Sequence, residues 1–153
     1  MKILILENIR SAYNVGAMFR TADAAGVDKI FLVGYTPTPI DRFGRVQTEI
    51  KKTSLGASAE VAWEHFSEIG KLITNLKEQG VEVVAVELGV KALPLNKYQV
   101  PESVAYIMGN EVEGVSAEAL AAADVTVEIP MLGTKESLNV SVSAGIVLYH
   151  GLK

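Results

Sequence analysis

The sequence predicts an α/β fold, a mostly parallel sheet with helices on both faces. Three observations point to it. Short runs rich in Val, Ile and Leu alternate along the chain with segments of helical character. The connections between runs are long enough to hold crossover helices, which parallel neighbours require. Glycines fall just behind several runs, where the loops of a parallel sheet hold ligands.

In chain order, KILILE is the first apolar run, and after a polar loop VGAMFRTADAAG reads as a helix closed by Gly26, with Asn14 placed to cap it. KIFLVG reads as a buried strand, completing a strand–helix–strand unit. YTPTPIDRFGR, with its prolines, glycine and arginines, reads as a loop, expected to be the most mobile part and long enough to carry function. TEIKKTSLGA reads as a short helix and AEVAW as a short strand. FSEIGKLITNLKEQG places Phe66, Ile69, Leu72, Ile73 and Leu76 along one helical face. VEVVAVE and SVAYIMG read as strands, Glu118 to Ala123 as a short helix capped by Ser116, and VTVEI as the last strand. The final segment is ambiguous. SLNVSVS alternates like a strand, yet it runs without a break into AGIVL at a helix's length.

A chain of 153 residues suits one domain, residues 1–153, burying roughly 70% of its unfolded surface. Its 49% hydrophobic and 21% charged residues place it away from the polar balance that keeps chains disordered. With no cysteine, disulfides and thiolate metal sites are excluded and a cytoplasmic location is the expectation. Glu7 and Arg10 interrupt the apolar start before it reaches the length of a signal peptide, and no run approaches the ~20 residues of a membrane helix.

The net charge of −4 hides an asymmetry: residues 1–56 carry net +3, and all four arginines, Arg10, Arg20, Arg42 and Arg45, lie among the first 45 residues. An acidic chain can thus present a basic face, and Arg suits bidentate contact with phosphate. Chance clustering on a solvated surface is the bland alternative.

Three segments place polar side chains and glycines where strands end. In NIRSAYNVGAMFRTADAAG, Arg20 lies inside a helix of small apolar residues, facing either an anion or Asp23. In IMGNEVEGVS, Gly109 and Gly114 would let backbone approach a ligand, unless this is an ordinary strand-to-helix loop. In IPMLGTKESLNVSVS, Pro130 and Gly133 frame a loop and Ser137 can cap the segment after it. GTKES lacks the earlier glycine of a phosphate loop, and no GxGxxG succeeds a strand. His65 and His150 show no metal-ligand spacing, so no metal is expected, and no GxSxG elbow supports a Ser-His-Asp triad.

Taken in order, N-x5-R-T-A-D-A-A-G, I-M-G-N-E-x2-G and I-P-M-x-G-x3-S-L-N-V-S-V-S closely resemble the three motifs of the SpoU (TrmH-like) branch of the SPOUT RNA methyltransferases, over nearly the whole chain. The resemblance implies a C-terminal deep trefoil knot, a homodimer, S-adenosylmethionine as cofactor and methylation of ribose 2'-hydroxyls in tRNA or rRNA. It places the cofactor against Leu88, Gly109, Ile129, Met131 and Leu138, and makes Asn14, Arg20, Glu111, Ser137 and Asn139 the catalytic set. Arg20 would engage the target hydroxyl and its phosphate, Asn14, Ser137 and Asn139 would fix its position, and Glu111 would orient a neighbouring group. Arg10, Arg42, Arg45, Lys51 and Lys52 are then candidates for an RNA-facing rim. The ambiguous segment becomes a helix beginning near Ser137. The alternatives are a base methyltransferase of the same superfamily and a non-catalytic RNA-binding or assembly factor.

Overall fold

The structure is a computed structural model that describes residues 1–152. Along the chain run β1 (Lys2–Glu7), α1 (Ala12–Ala24), β2 (Lys29–Val33), α2 (Thr48–Ser54), α3 (Ala57–Glu60), β3 (Trp63–Phe66), α4 (Ile69–Glu78), β4 (Glu82–Val86), β5 (Leu93–Pro94), β6 (Val104–Met108), α5 (Ala117–Ala122), β7 (Val125–Glu128) and α6 (Val140–Tyr149). The strands form one sheet in the order β3-β2-β1-β6-β4-β7-β5, and every pairing is parallel.

Alternation within the strands sorts side chains to the two faces. Leu4 and Leu6 of β1 join Tyr106 and Met108 of β6 in a core covered by α1, α2 and α6, through Met18, Phe19, Ile50, Ala144 and Val147. Ile3 and Ile5 point the other way, into a second core with Ile69, Leu72, Ile73 and Leu76 of α4 and Ala119 of α5. Helices therefore cover both faces, as the sequence predicts.

Several local readings need correction. The first helix starts at Ala12 and is capped by Ser11, whose hydroxyl accepts from the Asn14 amide at 3.1 Å. Asn14 sits in the first turn, so its side chain is free for other partners. The last helix starts at Val140 and not near Ser137; the carboxamide oxygen of Asn139 takes the cap role, accepting from the Ser141 amide at 2.9 Å. Either residue could cap by type, and using Asn139 leaves Ser137 and Leu138 in the preceding loop. The AEVAW segment divides between the end of α3 and the start of β3, and Phe66 belongs to β3, not to the helical face of α4. The two-residue β5 carries no sequence signal.

The loop after β2 is more ordered in its bonding than a slack connection. Residues 40–46 close into a hairpin through an antiparallel bridge between Ile40 and Val46. Upstream, the buried Thr36 hydroxyl accepts from the Ile9 amide at 3.0 Å, pinning the loop's root to the segment between β1 and α1.

Candidate functional site

A cleft of about 430 Å³ opens at the carboxyl ends of β4, β6 and β7, the end of a parallel sheet where ligands collect. It is bounded by three loops: residues 86–88, residues 109–114, and the segment from Ile129 to Asn139 that leads into α6. Each is held by specific bonds.

The 109–114 loop is a tight return. Asn110 and Gly114 exchange backbone bonds at 3.1 and 2.9 Å, and the Asn110 carboxamide oxygen accepts from the amides of Val112 and Glu113 at 2.8 and 2.9 Å. Gly109 must be a glycine because a Cβ there would run into the backbone of Gly114 and Val115. Two carboxylates at strand ends anchor the far side. Glu87 accepts from the Val115 amide at 2.8 Å, and the buried Glu7 accepts from the Ser116 amide at 2.9 Å and from its hydroxyl at 2.7 Å. Sequence reasoning missed both. The available signal was a carboxylate directly after an apolar run at the end of a strand segment, in KILILE and again in VEVVAVE.

Glu111 then reaches across to the start of α1. Its carboxylate accepts from the amides of Arg10 and Ser11 at 2.8 and 2.9 Å and from the Asn14 carboxamide at 3.1 Å. The Asn14 oxygen accepts in turn from the Asn139 carboxamide at 3.5 Å, and Asn139 uses its own oxygen to cap α6. This continuous chain of donors and acceptors fixes the orientation of both carboxamides and ties together all three motif segments. Burial alone would raise the pKa of Glu111, but the bonds from the Arg10 and Ser11 amides and from Asn14 outweigh it and hold the carboxyl below its ordinary value of 4.5.

A depressed carboxylate pKa contributes stability that is fully present above the unfolded value and is lost as the pH falls through the folded one. Glu111→Gln removes the charge and turns an NH2 toward amide donors, so it should unfold at a lower temperature than wild type at neutral pH. The gap should narrow on acidification below about pH 4.5. Thermal unfolding from pH 7 to 3 measures this, and a pH-independent gap would refute the role given to the charge.

Of the residues picked out from the sequence, Leu88, Gly109, Ile129, Met131 and Leu138 all line the cleft, as do Glu111, Ser137 and Asn139. Asn14 lies behind the lining, bonded to two of its members. Arg20 is not brought to the cleft. It is exposed on α1, six residues beyond Asn14, hence about 9 Å along the helix and about 240° around it. There it shares a separate hollow with Asp23, Ser54, Leu55 and Glu60. The four ion pairs among the described residues do not include an Arg20–Asp23 pair. Arg10, Arg42, Arg45, Lys51 and Lys52 are exposed and stand outside the cleft, whose lining contains no lysine or arginine.

Comparison with known proteins identifies the family. A 23S rRNA (guanosine-2'-O-)-methyltransferase, RlmB, of Neisseria meningitidis is 35% identical over 95% of the chain and 56% of its own length. A tRNA (guanosine(18)-2'-O)-methyltransferase of Thermus thermophilus is 36% identical over 95% of the chain and 71% of its own length. The chain thus spans less than two thirds of the Neisseria relative. Among solved structures, an AdoMet-bound rRNA methyltransferase from Sinorhizobium meliloti superposes with a TM-score of 0.86 at 27% identity, covering 97% of this chain and 54% of that one. Residues 1–149 match the SpoU rRNA methylase family, and the chain belongs to that family.

Proposed function

We propose that the chain is an S-adenosylmethionine-dependent RNA methyltransferase domain that transfers a methyl group to a ribose 2'-hydroxyl of tRNA or rRNA. The observation that carries this reading is the bonded chain Glu111–Asn14–Asn139, whose two ends line the cleft, joined with the 2'-O-methyltransferase activity named for both relatives above.

The cleft fits the cofactor. Its volume falls within the ~300–1,000 Å³ of small-molecule sites. Leu88, Ile129, Met131 and Leu138 supply apolar lining, Gly109 and Gly114 supply close backbone, and Glu87, Glu111 and Glu113 surround it with negative charge suited to a sulfonium. When bound, the cofactor supplies an activated methyl group. The chain's own residues then have to hold and orient the hydroxyl. Ser137 and Asn139 line the cleft with polar atoms, and Glu111 locks Asn14 and the Arg10–Ser11 backbone in place behind them. Arg20 is assigned to the target hydroxyl and its adjacent phosphate, where its positive charge stabilises the oxygen as the hydroxyl proton passes to that phosphate or to solvent. Arginine is a poor base at its ordinary pKa, so its part is charge stabilisation.

That role requires a second copy, because Arg20 of one chain does not line its own cleft. A homodimer has separate support. Helix α6 is apolar on nearly every side, a pattern of helices buried all round, yet Val142, Ile146 and Tyr149 form an exposed stripe along it. The trefoil knot is also part of the proposal. Strand β7 pairs between β4 and β5, so the 87–92 connection passes its carboxyl end. The 129–139 segment must clear that connection for α6 to reach α1. Among the described residues no helix is long and apolar enough to cross a membrane, and we place the activity in the cytoplasm, with its RNA.

Incubation with labelled S-adenosylmethionine and total tRNA and rRNA, followed by nucleoside mapping, tests the function. Label on a ribose 2'-oxygen is the expected result. Label on a base would turn the reading to a base methyltransferase, and cofactor or RNA binding without label to a non-catalytic factor.

A further inference from the structure

The hairpin after β2 presents an aromatic ring in an unusual setting. Asp41 to Gly44 form a turn closed by the Gly44 amide donating to the Asp41 carbonyl at 3.0 Å, and Gly44 adopts a φ of 77°, which opens the short bulge typical of three-residue hairpin loops. The Asp41 carboxylate accepts from the amides of Phe43 and Arg45, both at 2.9 Å, and from the Arg45 guanidinium at 2.8 Å. Every one of these bonds is internal, so the tip is built before any partner arrives.

What the tip displays is Phe43, 66% exposed. The guanidinium carbons of Arg42 and Arg45 lie 4.8 and 5.0 Å from its ring centroid, within cation–π range. Asp41 is already committed to Arg45, and among the described residues Arg42 has no acidic partner, so the tip carries an uncompensated positive charge. At the root of the same loop the Tyr35 hydroxyl accepts from the carboxamide of Asn110, a cleft-lining residue, at 2.9 Å. The root of the loop is therefore bonded to the wall of the cleft.

We propose that the Arg42–Phe43–Arg45 tip is a stacking platform for an unpaired RNA base, with the guanidiniums taking the flanking phosphates. Exposed apolar residues are ordinary on a protein surface; an exposed ring on an internally bonded turn, with two guanidiniums beside it, matches what single-stranded RNA offers, a π face beside a phosphate. This rests on the reading of the chain as an RNA-modifying domain. It adds that the substrate presents its target near an unpaired base, in a loop or bulge, and not in a continuous duplex.

The test uses the full chain and two fluorescently labelled RNAs of equal length, a stem–loop with an unpaired loop and a blunt duplex, with 2-aminopurine placed in the loop. Phe43→Ala should weaken stem–loop binding roughly tenfold while leaving duplex binding unchanged, with Phe43→Trp restoring affinity and Phe43→Leu failing to. Wild type, but not Phe43→Ala, should quench the 2-aminopurine. Arg42→Ala should weaken both RNAs and reduce the salt slope by about one. Stem–loop binding by Phe43→Ala equal to wild type, or equal weakening toward both RNAs, overturns the platform while methylation by wild type keeps the enzyme reading. A change in sedimentation in place of RNA affinity assigns the tip to a second copy and also overturns it. If wild type binds the cofactor but neither binds nor methylates RNA, both readings fall.

Discussion

Gly109→Ala is expected to lower affinity for S-adenosylmethionine by roughly ten- to a hundredfold, the effect of about 1–3 kcal/mol of overpacking concentrated in the cleft wall. The new Cβ would meet the backbone of Gly114 and Val115, not the end of a flexible side chain that could swing aside. Relief would require opening the return between Asn110 and Gly114, whose two backbone bonds close the loop. Glu87 and Glu7 hold the far side of that loop at Val115 and Ser116, so the displacement would pass to Glu111 and the start of α1. Gly133→Ala provides the contrast. It lies in the third motif segment, yet a Cβ there meets nothing within 4 Å, so affinity and unfolding temperature should stay near wild type. Calorimetric titration of both variants checks the pair; tight binding by Gly109→Ala would show that the loop is not a wall of the cofactor site.

The same loop shows how far the sequence could be read. The strands and the alternation that separates the two cores were legible because burial of both faces of a parallel sheet demands continuous apolar runs, and KIFLVG, VEVVAVE and SVAYIMG have them. The cleft residues came from the family resemblance, since a site built largely from backbone leaves little trace in side-chain type. Two capping assignments went astray for one reason: Ser11 and Asn14, like Ser137 and Asn139, are both good caps a few residues apart. The competition is decided by long-range partners, Glu111 for Asn14 and the cleft for Ser137, which local sequence does not contain. The hairpin at 40–46 was hidden similarly. Pro37 and Pro39 before it and Gly44 within it announce a loop, while its order comes from one carboxylate, Asp41, accepting three bonds.

Arg20→Ala should reduce methyl transfer by about a thousandfold, the upper range for loss of one charge-stabilising group at a reacting oxygen. Affinity for the cofactor should remain at the wild-type value, because Arg20 stands in a different hollow from the cleft-lining residues. Asn139→Ala should also be inactive, but for a reason inside the cleft: it removes the bond to Asn14 and the cap of α6. If a second copy supplies the arginine, mixing the two inactive variants under conditions that let dimers exchange should regenerate part of the activity. A mixed dimer would join the intact cleft of the Arg20→Ala chain to the intact arginine of the other. Single-turnover methylation of tRNA and rRNA, with sedimentation to follow the dimer, reads the result. A fully active Arg20→Ala chain would remove arginine from the reaction, and a mixture that stays inactive while its dimers exchange would mean that no arginine crosses between copies.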